Sequence, residues 1–139
     1  MATPLVSAIV LIGDINDKST FEKCLKSISW CSEIIKVDTK KIKGSFSDWR
    51  NEGLKKASGD WILYIDTDEI ISDNLKKEIL STIHHPPFTV FAIPRRNFIF
   101  NKEFKHSGQY PDYQIRLFKK NNLNKLNTYK INHKSLKIN

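Results

Sequence analysis

Cysteine is scarce in this chain. The 139 residues hold two, Cys24 and Cys31. They fall on or just after one expected helix, where a rise of about 1.5 Å per residue sets them about 10 Å apart, beyond disulfide reach. Their spacing is not that of metal ligands either. A disulfide-stapled scaffold and a cysteine zinc site are therefore excluded, and reduced, partly buried thiols in a cytoplasmic protein are expected. No apolar stretch approaches the roughly 18–20 residues of a membrane span. Leu5 to Ile12 is short and has no basic leader, so it does not read as a signal peptide. Internal repeats are absent. Acid is outnumbered by base, with 15 Asp and Glu against 23 Lys and Arg and a net charge of +8. Such a surface suits nucleic acid, anionic lipid or phosphorylated substrates without choosing among them. The lysines are dispersed, and a solvated face is their simpler reading.

What is present is a regular alternation of elements. "LVSAIVLI" (5–12) has the near-continuous apolar character of a strand buried on both faces. A loop, "GDIND", leads to a helix with Ser19 and Glu22 as a capping box and Phe21, Cys24, Leu25 and Ile28 on one face. "EIIKVD" (33–38) is a second strand. After a polar connection, a helix over about 48–58 turns Trp49, Leu54 and Ala57 inward, with Gly59 as its C′ residue. "DWILYID" (60–66) is a third strand. Ser72 or Asp73 opens a helix carrying Leu75, Ile79, Leu80 and Ile83, which Pro86 and Pro87 stop. "FTVFAIP" (88–94) is a fourth strand. "NFIFNKEF" (97–104) and "YQIRLFKK" (113–120) alternate as antiparallel or mixed strands added at one side. The expected class is α/β: a mostly parallel central sheet with helices on both faces and antiparallel additions in the last third. Residues 1–120 form one compact domain in this reading, and 121–139 a loosely ordered basic tail.

Open parallel sheets bind ligands at the carboxyl ends of their strands. Here those ends are acidic. Strand one leads to Asp14, Asn16 and Asp17, strand two ends in Asp38, and strand three ends in Asp66, Thr67, Asp68 and Glu69. Paired carboxylates at one rim can hold a hard divalent cation through oxygen, its shell completed by water and phosphate oxygens. They can equally cap the helix that opens near Ser72 or solvate a loop. Asp-x-Asp taken alone is a weak motif; the apolar strand before it and the acidic neighbouring strand ends favour the cation.

Several linked segments resemble glycosyltransferase family 2, whose fold is GT-A. "SAIVLIGDINDKSTFEKCLKSI" is similar to its opening strand, Asn-Glu turn and first helix, with Asn16-Asp17 in the Asn-Glu place. "EIIKVD" resembles its second strand. "DWRNEGLKKASGDWILYIDTDE" resembles its Arg-Asn helix followed by the Asp-x-Asp-Glu motif. "AIPRRNFIFNKEF" and "GQYPDYQIRLFKK" look like the branch containing lipopolysaccharide-core glucosyltransferases. The resemblance covers residues 5 to 120. It implies transfer of a hexose from a nucleotide-diphosphate sugar, UDP-hexose foremost, to a glycan or glycolipid acceptor, inverting and dependent on Mn²⁺ or Mg²⁺. By the same resemblance, Asn16, Asp17, Asp38, Arg50, Asp66 and Asp68 bind the nucleotide sugar. Asp68 is the principal metal ligand, supported by Asp66. Asp112 is the acceptor-side base. Arg95 and Arg96 contact phosphate or acceptor, or else form a solvated strand end after Pro94, and Arg116 contacts phosphate or acceptor or supports the loop that carries Asp112. The implied location is cytoplasmic, with peripheral contact at the inner face of a membrane.

The chain departs from the family in two places. "TKKIKGSF" runs almost directly into "SDWRN", where the family has a further helix and strand. Toward the C-terminus, His133 stands in a histidine place but Lys134 follows instead of Glu, and the family's helical tail has no counterpart. Three readings stay open: a compact active enzyme, one completed by a partner subunit or a second copy, or a sugar-nucleotide binder without turnover. Nucleic-acid binding is disfavoured, because the lysines are not interleaved with aromatics. A phosphatase of the haloacid dehalogenase type would want Gly-Thr after its second aspartate, where Glu69-Ile70 stand.

Overall fold

The computed structural model describes residues 4–13, 15, 17–86, 88–94, 98–99 and 113–120. The strands are β1 (Val6–Ile12), β2 (Glu33–Asp38), β3 (Trp61–Asp66), β4 (Ile70–Ile71), β5 (Val90–Pro94), β6 (Phe98–Ile99) and β7 (Tyr113–Lys119), with helices α1 (Lys18–Ser27), α2 (Phe46–Lys56) and α3 (Asp73–His84) between them. Five strands form one sheet in the order β2-β1-β3-β7-β5, and β4 pairs with β6 in a separate two-stranded ribbon. β1 is parallel to β2 and β3, while β7 is antiparallel to both β3 and β5. Four of the five strands therefore run one way.

The expected α/β sheet is present, but β7 is not an addition at one side. It is inserted between β3 and β5. Its sequence suits that place, because Leu117 and Phe118 are both buried and belong to the cores on opposite faces. The β5–β7 register shifts between Phe91, opposite Leu117, and Ala92, opposite Ile115. Arg116 is thus the extra residue of a bulge on β7.

Alternation along the strands builds the two cores. Val6, Ala8, Val10, Trp61, Leu63 and Ile65 face α1 and α3, meeting Cys24, Ile28, Leu75, Ile79 and Ile83. Ile9, Ile35, Val37, Ile62 and Tyr64 face the other way, against Ala57 with Trp49 and Leu54 of α2. A buried aliphatic side chain contributes about 1.5–3 kcal/mol, so these two layers supply most of the drive that holds the helices down. Among the described residues no helix is long and apolar enough to cross a membrane.

Local details correct two expectations. α1 is capped by Asp17, not by a Ser19–Glu22 box: the Asp17 carboxylate accepts from the Thr20 backbone N–H at 3.2 Å and from the Thr20 hydroxyl at 2.7 Å. An aspartate two residues earlier reaches the orphan amides first. Gly59 is not the C′ residue of α2, whose C-cap is Ala57. Gly59 N–H donates to Ser7 Oγ at 2.8 Å, and a Cβ there would lie 2.6 Å from that oxygen. Its small size lets the chain cross close to β1.

Gly53 has a similar reason. It lies buried inside α2, and a Cβ would stand 2.6 Å from Ile9 Cγ2 and 3.2 Å from Val37 Cγ2. Both are β-branched and stiff at χ1, so neither yields easily. Alanine is the better helix former by about 1 kcal/mol, but overpacking costs about 1–3 kcal/mol. Gly53→Ala is therefore expected to lower stability in urea unfolding by about 1 kcal/mol. A gain of stability would show that α2 can move away from the sheet.

Candidate active site

The parallel strands end on one rim. In register, Ile12 of β1 faces Asp38 of β2, and Leu11 faces Asp66 of β3. Asp38 and Asp66 thus flank the end of β1, two strand spacings or about 10 Å apart. Asp38 is half-buried and its Oδ1 accepts from the Lys40 backbone N–H at 3.0 Å, turning the chain away from the sheet.

Residues Asp66 to Glu69 form the turn at the end of β3. Glu69 N–H donates to the Asp66 carbonyl at 3.0 Å, and Asp66 N–H donates to Glu69 Oε1 at 2.7 Å. Backbone and side chain close the same turn. Thr67 and Asp68 form its tip, with Asp68 exposed. Glu69 is 0% exposed. Arg116 meets it with both arms, Nη1 to Oε1 at 2.7 Å and Nη2 to Oε2 at 2.9 Å, and Nη2 also reaches Asp66 Oδ2 at 3.4 Å. The Arg116 side chain is 5% exposed and that of Asp66 43%. A buried carboxylate without a cation is strongly unfavourable, so Glu69 and Arg116 belong together, and the planar fork of arginine suits the bidentate contact. The Cys24 thiol approaches from α1 and donates to the Asp66 carbonyl at 3.4 Å.

Arg50, on α2, lies 4.7 Å over the ring of Tyr64, two residues before Asp66 on β3. A cation over an aromatic face is favourable by about 0.5–2 kcal/mol, which holds Arg50 near this rim. Asp17 sits after β1 as the cap of α1, its carboxyl held below the usual carboxylate range first by the Thr20 hydroxyl and then by the Thr20 amide. Arg116, expected at phosphate or acceptor, lies buried with its guanidinium on Glu69 and Asp66. Asn16, Arg95, Arg96, Asp112 and His133 lie outside the described residues. Glu69 was not among the expected site residues. Its signal was an arginine inside the apolar alternation of "YQIRLF", which needs an acid partner once β7 is known to be interior.

Asp68 and Asp66 offer oxygen donors of the kind a magnesium or manganese ion takes. Among the described residues, no group of three His, Cys, Asp or Glu side chains converges on one point. Two carboxylates fit a cation that keeps several waters and takes phosphate oxygens from a substrate, and do not fit a fully protein-ligated one.

A sheet of this order, with helices on both faces and an acidic turn at the carboxyl end of β3, defines an α/β protein with an acidic rim at its strand ends. The model for glycosyl transferase family 2 matches residues 10–138, and the chain belongs to that family. Its fold is GT-A. The crystal structure of S. aureus TarS is similar at 19% identity and a TM-score of 0.43, over 65% of this chain and 21% of that one. The chain thus spans about a fifth of the TarS chain.

Burial beside the rim has a consequence at high pH. The Cys24 thiol is pushed up to about 12 by burial, with the negative charges of Glu69, Asp66 and Asp68 adding to it. Burial alone raises Cys31 to about 12. It also raises the Tyr64 hydroxyl to about 12, against the opposing charge of Arg50. Unfolded thiols lose their protons near pH 8.5 and tyrosine near pH 10. The unfolded chain therefore binds fewer protons than the native one between about pH 8.5 and 12, and stability falls as pH rises through that window. Urea midpoints are expected to hold level from pH 7 to 8 and to drop steadily from pH 9 to 11. A level midpoint up to pH 11 would show that these groups are not buried in the native protein.

Proposed function

We propose that the chain transfers a hexose from a nucleotide-diphosphate sugar to a glycan or glycolipid acceptor, with inversion and with a divalent cation. The observation that carries this reading is the shared rim in a family 2 chain: Asp38 and the Asp66–Glu69 turn flank the same strand end, with Asp68 exposed at the tip. Asp38 takes the base, uracil being the first candidate, and Asp66 takes the ribose side. Arg50 stands near the nucleotide, held by Tyr64. Asn16 contributes from the loop after β1, and Asp17 acts there by shaping the start of α1.

Asp68 would be the principal ligand of Mn²⁺ or Mg²⁺, with Asp66 beside it. When bound, the cation supplies neutralisation of the charge that develops on the diphosphate. Asp112 takes the proton of the acceptor hydroxyl as its oxygen bonds to the anomeric carbon. The bond from that carbon to the diphosphate oxygen breaks, and its electron pair leaves with the nucleoside diphosphate. Attack from the face opposite the leaving group inverts the configuration. Arg95 and Arg96 serve the phosphates or an anionic acceptor. The net charge of +8 suits a phosphorylated glycolipid of the lipopolysaccharide-core kind, met at the inner face of a membrane. A second copy or a partner subunit would complete the pocket beyond the short 39–45 connection.

Calorimetric titration of a sugar-nucleotide panel with and without Mn²⁺ tests the reading. Binding of one donor is expected to need the metal and to weaken at least about 10-fold in Asp68→Ala. Asp112→Asn is expected to keep donor binding and to lower transfer by about 10²–10⁴-fold, the usual weight of a general base. Metal-independent binding, or none across the panel, would refute the cation site. Retained transfer in Asp112→Asn would remove it as the base. Donor binding without transfer by the unaltered chain would favour a sugar-nucleotide binder.

A further inference from the structure

The Asp66–Glu69 turn is held from β7, a strand that enters the sheet from the far end of the sequence. Pairing of β3 with β7 runs from Trp61 opposite Lys119 to Leu63 opposite Leu117, and among the described residues no pair follows it toward the rim. On the other side, the β5 register skips Arg116, which is left as the extra residue of the bulge. Bulges bend a strand and re-aim a side chain, and they gather beside active sites. Here the bulged residue sends a buried guanidinium toward the rim of β3, where it bonds both oxygens of Glu69 and one of Asp66.

The arrangement divides labour among three carboxylates. Both Glu69 oxygens accept from Arg116, and Oε1 also accepts from the Asp66 backbone N–H. Glu69 is fully buried and so is withdrawn from solvent and from any cation there. Asp66 is tethered through one oxygen while its side chain stays partly exposed. Asp68, at the tip between them, is exposed. The turn is therefore fixed at both of its ends, and the residue that is left to reach outward is Asp68.

We propose that Arg116 is a positioning residue of the cation site: through Glu69 and Asp66 it sets the conformation of the Asp66–Glu69 turn, so that Asp68 is presented to a divalent cation carrying a nucleoside diphosphate. This rests on the cation reading of the preceding subsection. Arg116 itself touches neither cation nor substrate. The bulge on β7 directs one side chain, and an arginine is required because both Glu69 oxygens and Asp66 must be met by one planar donor set.

Two variants separate positioning from mere support of the fold. Arg116→Lys keeps a cation beside Glu69 but loses the two-armed contact. The pair Arg116→Met with Glu69→Gln removes both buried charges at once, a change that a core tolerates better than removal of one partner, and keeps an oxygen for the Asp66 N–H. Binding of Mn²⁺ in the presence of UDP is read from the loss of the free-ion electron paramagnetic resonance signal. The backbone amide shifts of Thr67 and Asp68 are read by NMR in metal-free protein, and thermal melting reports the fold. Both variants are expected to melt cooperatively, to bind Mn²⁺ with UDP at least about 10-fold more weakly, and to shift the Thr67 and Asp68 amides without metal. Asp68→Asn serves as the reference for the site itself. If it abolishes Mn²⁺ binding while Arg116→Lys and the paired variant, both folded, bind as the unaltered protein does, the positioning role is overturned and the cation reading stands. If the unaltered protein takes up no Mn²⁺ with UDP, the cation reading fails and the positioning role falls with it.

Discussion

A carboxylate with no solvent access must have a cation against it, and Glu69 is such a carboxylate at the edge of an otherwise apolar sheet. Its cation is Arg116, which lies forty-seven positions further along the chain. Several features of the molecule depend on that meeting. β7 has to lie beside β3 and not at an outer edge, or the guanidinium could not reach. The strand has to bulge at residue 116, because regular pleating would carry the side chain past the turn. The turn after β3 has to close tightly, so that Glu69 comes back beneath Asp66. The mixed direction of the sheet, the bulge and the acidic turn are thus one connected arrangement.

The two cores make that arrangement rigid. β1 and β3 are buried on both faces, so neither can slide by one residue without driving a whole set of side chains into the wrong layer. Glycine is used where the layers come closest. At Gly53 α2 rests directly on Ile9, and at Gly59 the chain passes across Ser7. The strand ends that carry Asp38 and Asp66 are therefore set by packing well behind them. The placement of the rim comes from the core.

Charge explains why a basic protein keeps acid here. Of the carboxylates at the turn, one is neutralised by a buried arginine, one is shared with it, and one is exposed. A full cluster of bare acids would repel itself, and a fully paired one would have nothing to offer a cation. The observed division leaves a small excess of negative charge at one point of a positive surface. One exposed carboxylate at the tip of a turn held by its neighbours is the kind of oxygen donor a hard cation could use.

Strand and helix periodicity in the sequence determined the first two thirds of the fold. The apolar run over β1, the acid-tipped β2 and β3, and the helical faces of α1 and α3 are local patterns, and local patterns report which face of an element is buried. The linked segments around "DWRNEGLKKASGDWILYIDTDE" likewise determined the family. Other matters were decided only by tertiary structure. Asp17 rather than Ser19 caps α1, and Gly59 makes room for β1 rather than ending a helix, because each depends on a specific atom nearby. The insertion of β7 between β3 and β5 could not be read from its alternation, since an edge strand and an interior strand can share that pattern. Only once β7 stands inside the sheet does Arg116 become a buried charge in need of a partner. Only then does Glu69, which in sequence is one more acid after Asp-x-Asp, become the residue that anchors the turn. Periodicity reports the face a residue occupies. The partner it meets there is set by which distant segment the folded chain brings alongside.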